Sequence, residues 1–366
     1  MYSISILVCG LLCATASMTV RLNKRKQETI LMVLLVLVFS LLMAYRSLEI
    51  PDTFWYQNSF SELDAHQKYT FSLFQDNYRF GFEYGYIYFM QLFKRFISTD
   101  YRAFFFFCSI VISALFIYSV KSIYAYLVNE DNEDVNYPLL FCIYVSYFGL
   151  YYCGIAIRAG LAMGLILLGV VFALRKKYIP AVLLLFVAFT LQRTSVVGVG
   201  LLISILFFRL KINKRVMMWI WLVIGVLIFS GIATRLFSYT SDLLVMLFNR
   251  SSLDYSRYLL RGGQASEAGI AVFLDWIIGI IILLSIYEDE RIARIFNIYL
   301  VGFVIIVFTM TIPGFNRISD YFTVMNIPML YKFSTDRNIN RLIRISLCVL
   351  VVGMNIVRVL NRYGWV

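Results

Sequence analysis

Apolar runs long enough to cross a bilayer recur from one end of this sequence to the other. They cover residues 3–20, 29–45, 102–121, 137–153, 156–174, 178–192, 194–208, 216–232, 269–287, 295–312, 320–333 and 345–360. Lipid offers no water to backbone N–H and C=O groups, so such runs must satisfy their own hydrogen bonds as helices. The expected fold is an all-α polytopic integral membrane protein of about 12 transmembrane helices, with residues 1–366 forming a single transmembrane domain. With 61% hydrophobic and 15% charged residues and a mean hydropathy of +0.79, the chain leaves no room for a soluble domain of useful size. Residues 84–97 (YGYIYFMQLFKRFI) are apolar on one side and end in Lys94 and Arg95. They are too short to span and read as an interfacial or re-entrant helix.

The charges fix an orientation. Arg21–Lys26, Lys121, Arg175–Lys177, Arg209–Arg215, Arg291 with Arg294, and Lys332–Arg344 all fall on one side of the layout. Of the net +12, that side carries +9 and the opposite side +3. Basic residues concentrated in short loops mark the cytoplasmic side. A nucleic-acid role is not indicated, because the charges lie between spans and serve topology. The first run has no basic residues before it and a basic cluster after it, which favours a first span with its N-terminus outside over a cleaved signal peptide. Both termini are then expected outside. Two long external loops follow, residues 46–101 and 233–268. The first is rich in aromatics (Trp55, Tyr56, Phe71, Phe74, Tyr78, Phe82), which suit the membrane interface and stack on sugar faces. The second holds Arg250, Arg257 and Arg261 beside Gly262–Gly263. The acidic patch Glu130, Asp131, Glu133, Asp134 reads as a solvated cytoplasmic loop.

The stretch from Gly154 to Ser195 carries the clearest chemical signal. Two apolar segments flank the basic knot Arg175, Lys176, Lys177, and each has an arginine at its far end, Arg158 and Arg193. If both segments span, the knot lies on one side and the two arginines meet on the other. An arginine near hydrocarbon needs a partner. Two together make an anion site, or they snorkel to lipid phosphates. Small residues at Ala156, Gly160 and Gly164 form a face that lets another helix approach closely.

Arg46 and Arg317 join these two arginines on the external side, each at a span end. Arginine's planar fork of N–H groups matches phosphate oxygens, and several forks could hold a diphosphate as a bond to it breaks. Asp52, Glu83 and Asp320 lie on the same side, and a carboxylate near an acceptor hydroxyl can serve as general base. The alternative is a set of mutually neutralising ion pairs. Six cysteines form neither a metal pair nor a legible disulfide framework, His66 is the only histidine, and there is no Walker-type loop, dinucleotide fingerprint or zinc spacing.

These pieces resemble the EpsG/Wzy family of bacterial polysaccharide polymerases. Arg46, Asp52 and Tyr56 are similar to the family's external Arg…Asp…Tyr segment. Phe82-Glu83-Tyr84-Gly85 resembles its Phe-Glu-x-Gly step, and Arg158-Ala159-Gly160-Leu161-Ala162 its Arg-Gln-x-Leu-Ala helix start, with Ala159 in place of glutamine. Arg317 with Tyr321-Phe322 resembles the late Arg…Tyr-Phe segment. One departure is Gln192-Arg193-Thr194-Ser195 where the family often has a histidine; Gln192 cannot act as a base.

The resemblance implies a GT-C-like membrane glycosyltransferase of the bacterial cytoplasmic membrane, with its active site facing the periplasm or cell exterior. It would join undecaprenyl-diphosphate-linked oligosaccharide repeats into O-antigen, capsule or exopolysaccharide, without nucleotide sugar, metal or other cofactor. A chain-length regulator and a flippase of the same pathway would be its partners, alongside the bilayer. Arg158, Arg193, Arg317 and Arg46 would face the donor diphosphate, and Asp52 or Glu83 would activate or orient the acceptor hydroxyl. Trp55, Tyr56, Gln192, Asp320 and Tyr321 would contact sugar or acceptor. A ligase acting on the same lipid-linked glycan and a lipid-linked glycan flippase are the alternatives.

Overall fold

The computed structural model describes residues 25–69, 80–128, 135–207, 212–230, 232, 268–309, 316–336 and 338–362. The expected span 3–20, most of the loop 233–268, the acidic patch 130–134 and Phe71, Phe74 and Tyr78 lie outside the described residues.

Regular structure among the described residues is helical. The order is α1 (Arg25–Ala44), α2 (Thr53–Glu62), α3 (Tyr84–Phe96), α4 (Tyr101–Val128) and α5 (Tyr137–Tyr144). α5 runs on through a π turn at Val145–Gly149 into Leu150–Gly154. Then come α6 (Ile157–Leu174), α7 (Tyr178–Leu191), a 3₁₀ turn (Arg193–Val196), α8 (Val197–Phe207) and α9 (Lys214–Phe229). α10 (Ala268–Ser285), α11 (Glu290–Thr309), α12 (Asn316–Thr323), α13 (Asn326–Thr335) and α14 (Arg341–Arg362) complete it. Among the described residues, three helices are long and apolar enough to cross a membrane: Gln27–Ala44, Tyr101–Val128 and Ile157–Leu174. Tyr178–Leu191, Arg193–Ile205 and Val272–Ser285 are apolar but shorter.

Two expected spans need correction. The run 102–121 continues to Val128 because Lys121 does not end the helix: its ammonium sits over the Tyr137 ring, 5.0 Å from the centroid, and donates to the Tyr137 hydroxyl. The run 320–333 is two helices, α12 and α13, broken at Val324–Met325. The cause is Pro328. A proline has no N–H to donate four residues back, and its ring clashes with the carbonyl there, which is that of Val324.

The described residues fall into two compact units, one within Met1–Leu202 and Ser334–Val366, the other within Ile203–Phe333. In the first, α4 packs against α1 and α6, α2 against α4, α3 against α7, and α14 against the π turn. The close approach of α6 to α4 uses the small-residue face. A Cβ on Gly160 would lie 2.9 Å from Ile112 Cδ1, and one on Gly164 2.9 Å from Leu115 Cβ.

α6 and α7 form a hairpin turned by the basic knot. Lys177 N–H donates to Phe172 O (2.8 Å) and Lys176 N–H to Ala173 O (3.0 Å), the paired bonds of a Schellman turn, with Lys176 left-handed at φ 61°. In the second unit, α9 and α10 are joined by a reciprocal pair: Trp221 Nε1 donates to Trp276 O and Trp276 Nε1 to Trp221 O, both at 2.9 Å.

Candidate functional site

The hairpin brings the start of α6 and the end of α7 to one place, and Glu83 joins them. Arg158 stands second in α6, after an N-cap, Ala156, that offers no side-chain acceptor. A cation in the first turn opposes the helix dipole, so this position is unfavourable without compensation. Glu83 supplies part of it. Its Oε2 takes a salt bridge from Arg158 Nη1, and its Oε1 accepts from the Arg193 backbone N–H at 3.0 Å. The pair is largely desolvated, with side chains 19% and 9% exposed. Buried charges persist when each is paired and hydrogen-bonded.

Aromatic rings supply the rest. The Arg158 guanidinium lies over Phe82 at 4.3 Å from the ring centroid, and 6.0 Å from those of Tyr56 and Tyr86. Tyr56 stacks on Phe82 (5.5 Å, 29°), and Tyr86 stands edge-on to Phe82 (5.5 Å, 83°) and Tyr56 (6.0 Å, 68°). All three rings are buried.

α3 delivers Phe82 and Glu83 to this point. Gly81 turns the chain at φ +63°, and Glu83 takes the extended N-cap position of α3. Gly85 then sits directly on the end of α7: a Cβ there would lie 2.5 Å from Thr190 O and 2.6 Å from Thr190 Oγ1. Further along α3, Lys94 Nζ donates to the carbonyls of Phe60 (2.8 Å), Ser61 (3.0 Å) and Leu63 (2.8 Å), closing the C-terminus of α2. Gln91 Nε2 bonds Asp64 O and Gln67 O. α3 is thus a strut that holds α2 on one side and α7 on the other.

Arg46 is buried beside the same rings. Its Nε donates to Thr53 Oγ1 (2.9 Å), its Nη1 to Met43 O (2.7 Å) and Cys153 O (3.5 Å), and its guanidinium lies 4.1 Å from the Phe105 centroid. Burial pushes its pKa down to about 10, against the opposing pull of Tyr56 and Tyr86, so it is charged at neutral pH. Burial likewise raises the Tyr86 hydroxyl well above its ordinary value. Arg158 Nε and Arg46 Nη2 are buried donors without a hydrogen bond, as is the Tyr86 hydroxyl. Buried donors of this kind call for an explanation, and a ligand or an ion is one.

Of the residues singled out from sequence, Arg46, Tyr56, Glu83, Arg158 and Arg193 meet in this one cluster. Gln192 is buried in the extended link between α7 and the 3₁₀ turn that carries Arg193. Asp52 is exposed in a left-handed conformation (φ 64°) at the start of α2, and Trp55 on that helix is 65% exposed. Arg317, Asp320 and Tyr321 are on α12 in the second unit, with Tyr321 buried and the other two half-buried. Sequence reasoning missed Phe82 and Tyr86 as partners of Arg158, and Gly85 as the seat of α3. The Phe82-Glu83-Tyr84-Gly85 step marked Phe82 and Gly85 in the sequence, but not what they touch.

The whole arrangement falls inside one family match: a model of the EpsG family covers residues 29–365. The chain belongs to the EpsG family. No curated protein and no solved structure matches it. Membership and the apolar helices agree on a membrane protein with a role of the polysaccharide-polymerase type. In this EpsG protein the Phe-Glu-x-Gly step has a physical meaning for each of its three defined residues. Phe82 covers the Arg158 guanidinium, Glu83 links Arg158 to the Arg193 backbone, and Gly85 lets α3 touch α7.

Proposed function

We propose that this EpsG protein is a membrane glycosyltransferase that polymerises undecaprenyl-diphosphate-linked oligosaccharide repeats on the external face of the bacterial cytoplasmic membrane. In this reading the chain has about 12 spans in a GT-C-like arrangement. A chain-length regulator and a flippase of the same pathway work beside it. The observation that carries the proposal is the cluster itself: Arg158, paired with the Glu83 carboxylate and covered by Phe82, and buried Arg46 beside the same aromatic rings each keep a buried N–H donor without a hydrogen bond. Positive charge in excess of its counter-charge, held in a desolvated place, favours an anion.

The reaction would break the bond between the donor's anomeric carbon and its diphosphate oxygen, and form one from that carbon to an acceptor hydroxyl oxygen. The hydroxyl proton goes to a base, and negative charge builds on the departing lipid diphosphate. Arg158 and Arg193 are assigned to that charge, and Arg46 offers its remaining Nη2. Both Glu83 oxygens are engaged by the arginines, which suits Glu83 to holding them, whereas exposed Asp52 is assigned the acceptor proton. Exposed Trp55 is assigned to sugar stacking, because the Tyr56 ring is buried against Phe82 and Tyr86. Gln192 is assigned to the acceptor side.

Replacing Arg158 or Arg193 by lysine keeps the charge and removes the fork. The Arg193 backbone bond to Glu83 survives its substitution, so that variant tests the side chain alone. With purified protein and synthetic lipid-linked repeats, each should lose about 100- to 1000-fold in rate, the scale of removing one oxyanion-hole donor. Lys68→Ala, at an exposed site, should match wild type. Near-normal chain extension by both lysine variants would remove the diphosphate role, since lysine reaches lipid headgroups as well as arginine does. A deletion strain should display single repeats and no long chains; repeats trapped inside would indicate a flippase instead.

A further inference from the structure

Arg158 has partners of different kinds, the Glu83 carboxylate, the Tyr56 hydroxyl and the Phe82 ring, and the difference matters for what it can bind. Glu83 is an anion, so it competes with any anionic ligand for the guanidinium. Phe82 is not. Its ring face attracts a cation through the quadrupole, at 4.3 Å here, well inside the range where that attraction is significant. A second carboxylate in this place would fix the guanidinium and also neutralise it. A ring fixes it and leaves the full charge for a ligand.

We propose that Phe82 is a positioning residue: its ring holds the plane of the Arg158 guanidinium so that an oxyanion meets a preset fork. This rests on Arg158 being an anion contact and goes beyond it by naming what aligns that contact. The geometry supports a rigid holder. Phe82 is buried, stacked on Tyr56 and braced edge-on by Tyr86, so it has little freedom to follow a wandering guanidinium. The backbone is set on both sides of the pair: Gly81 turns the chain at φ +63° before Phe82, and Gly85 pins α3 to Thr190 after it. Phe82 and Glu83 are consecutive, so one short segment supplies both the stacking face and the hydrogen-bond acceptor. The first-turn place of Arg158, against the helix dipole, makes such holding necessary.

The test uses full-length protein in phosphatidylcholine nanodiscs with inorganic pyrophosphate as probe, titrated by calorimetry. Phenylalanine carrying one, two or three ring fluorines is installed at position 82. Fluorination keeps the ring's shape and drains its π face. If the ring positions Arg158, the pyrophosphate Kd should rise stepwise, by about 2- to 30-fold in total, the span of cation–π energies at exposed to desolvated sites. Phe82→Trp should bind at least as well as the trifluorinated protein, and Phe82→Leu should bind worse than wild type. A Kd that stays flat or falls across the fluorinated series overturns the proposal, since a ring that only fills space would tolerate the change. Arg158→Ala separates the two readings. If it weakens pyrophosphate binding while the fluorinated series is flat, only the role of Phe82 fails. If it binds like wild type, or wild type does not bind pyrophosphate, the anion-contact reading fails and takes this inference with it.

Discussion

Gly85→Ala is the smallest change that should disturb the whole cluster. A Cβ at this position would lie 2.5 Å from Thr190 O, 2.6 Å from Thr190 Oγ1 and 2.7 Å from Thr190 C. The nearest of these is a backbone carbonyl oxygen, so no rotamer change relieves the contact, and Thr190 Oγ1 is itself tied to Val187 O at 2.8 Å. Moving from 2.5 Å to the 3.4 Å of ordinary contact requires α3 to withdraw by about 0.9 Å. Glu83 is two residues away and moves with it. Its 3.0 Å bond from Arg193 N–H would stretch to about 3.9 Å, too long to count as a hydrogen bond. Overpacking of this kind costs about 1–3 kcal/mol, and a hydrogen bond to a charged group is worth about 1.5–3 kcal/mol. Together these come to about 2.5–6 kcal/mol, which would lower the melting temperature by roughly 5–24 °C at about 2–4 °C per kcal/mol. The assays are thermal unfolding in detergent and chain extension on lipid-linked repeats, where a misaligned Arg158 should cost at least about tenfold in rate. Gly353→Ala is the control: its Cβ would meet nothing within 4 Å, and it should be neutral or slightly stabilising. If Gly85→Ala melts and polymerises like wild type, α3 is not held against α7 as described and the reasoning is refuted.

Two further outcomes test neighbouring parts of the argument. Glu83→Gln keeps an acceptor for Arg193 N–H and removes the charge that pairs Arg158; it should lower the polymerisation rate without changing the shape of its pH profile, whereas loss of a pH limb would make Glu83 the base. Lys176→Gly relieves a left-handed lysine at φ 61° in the α6–α7 turn, and should raise stability by about 1 kcal/mol, read as a higher melting temperature, with a fall in stability counting against the Schellman geometry.

Much of the helical layout could be read directly because its cause is local. Apolar runs must be helical in lipid, and the runs at 29–45, 156–174 and 178–192 lie within a few residues of α1, α6 and α7. The short amphipathic stretch 84–97 is likewise a helix, Tyr84–Phe96. The break in 320–333 was also written in the sequence, at Pro328, but hydropathy averages over a proline and hides it. The run past Lys121 is different. Whether a lysine ends an apolar helix depends on a partner, and Tyr137, 16 residues on, is not visible from the lysine's own neighbourhood.

The candidate site shows the same division between local and distant causes. That Arg158 and Arg193 would meet follows from two segments joined by a three-residue turn, and the hairpin does bring Arg158 and the Arg193 backbone to a common carboxylate. What surrounds them does not follow. In a chain that is 17% aromatic, no ring announces whether it faces sugar, lipid or a cation. Tyr56 and Trp55 are neighbours on α2, yet one is buried against Phe82 and the other is exposed, because the helix turns about 100° per residue and α3 covers only one of its faces. One sequence signal did point toward the rings. A cation in the first turn of an apolar helix, after an alanine N-cap, lies at the wrong end of the helix dipole and in poor solvent. Such a residue is tolerated only if the tertiary structure stabilises it. A single carboxylate would do so at the cost of silencing the charge. A carboxylate with a ring face beside it stabilises the cation and leaves it able to exchange one anion for another, as a site that must bind and release a charged leaving group requires.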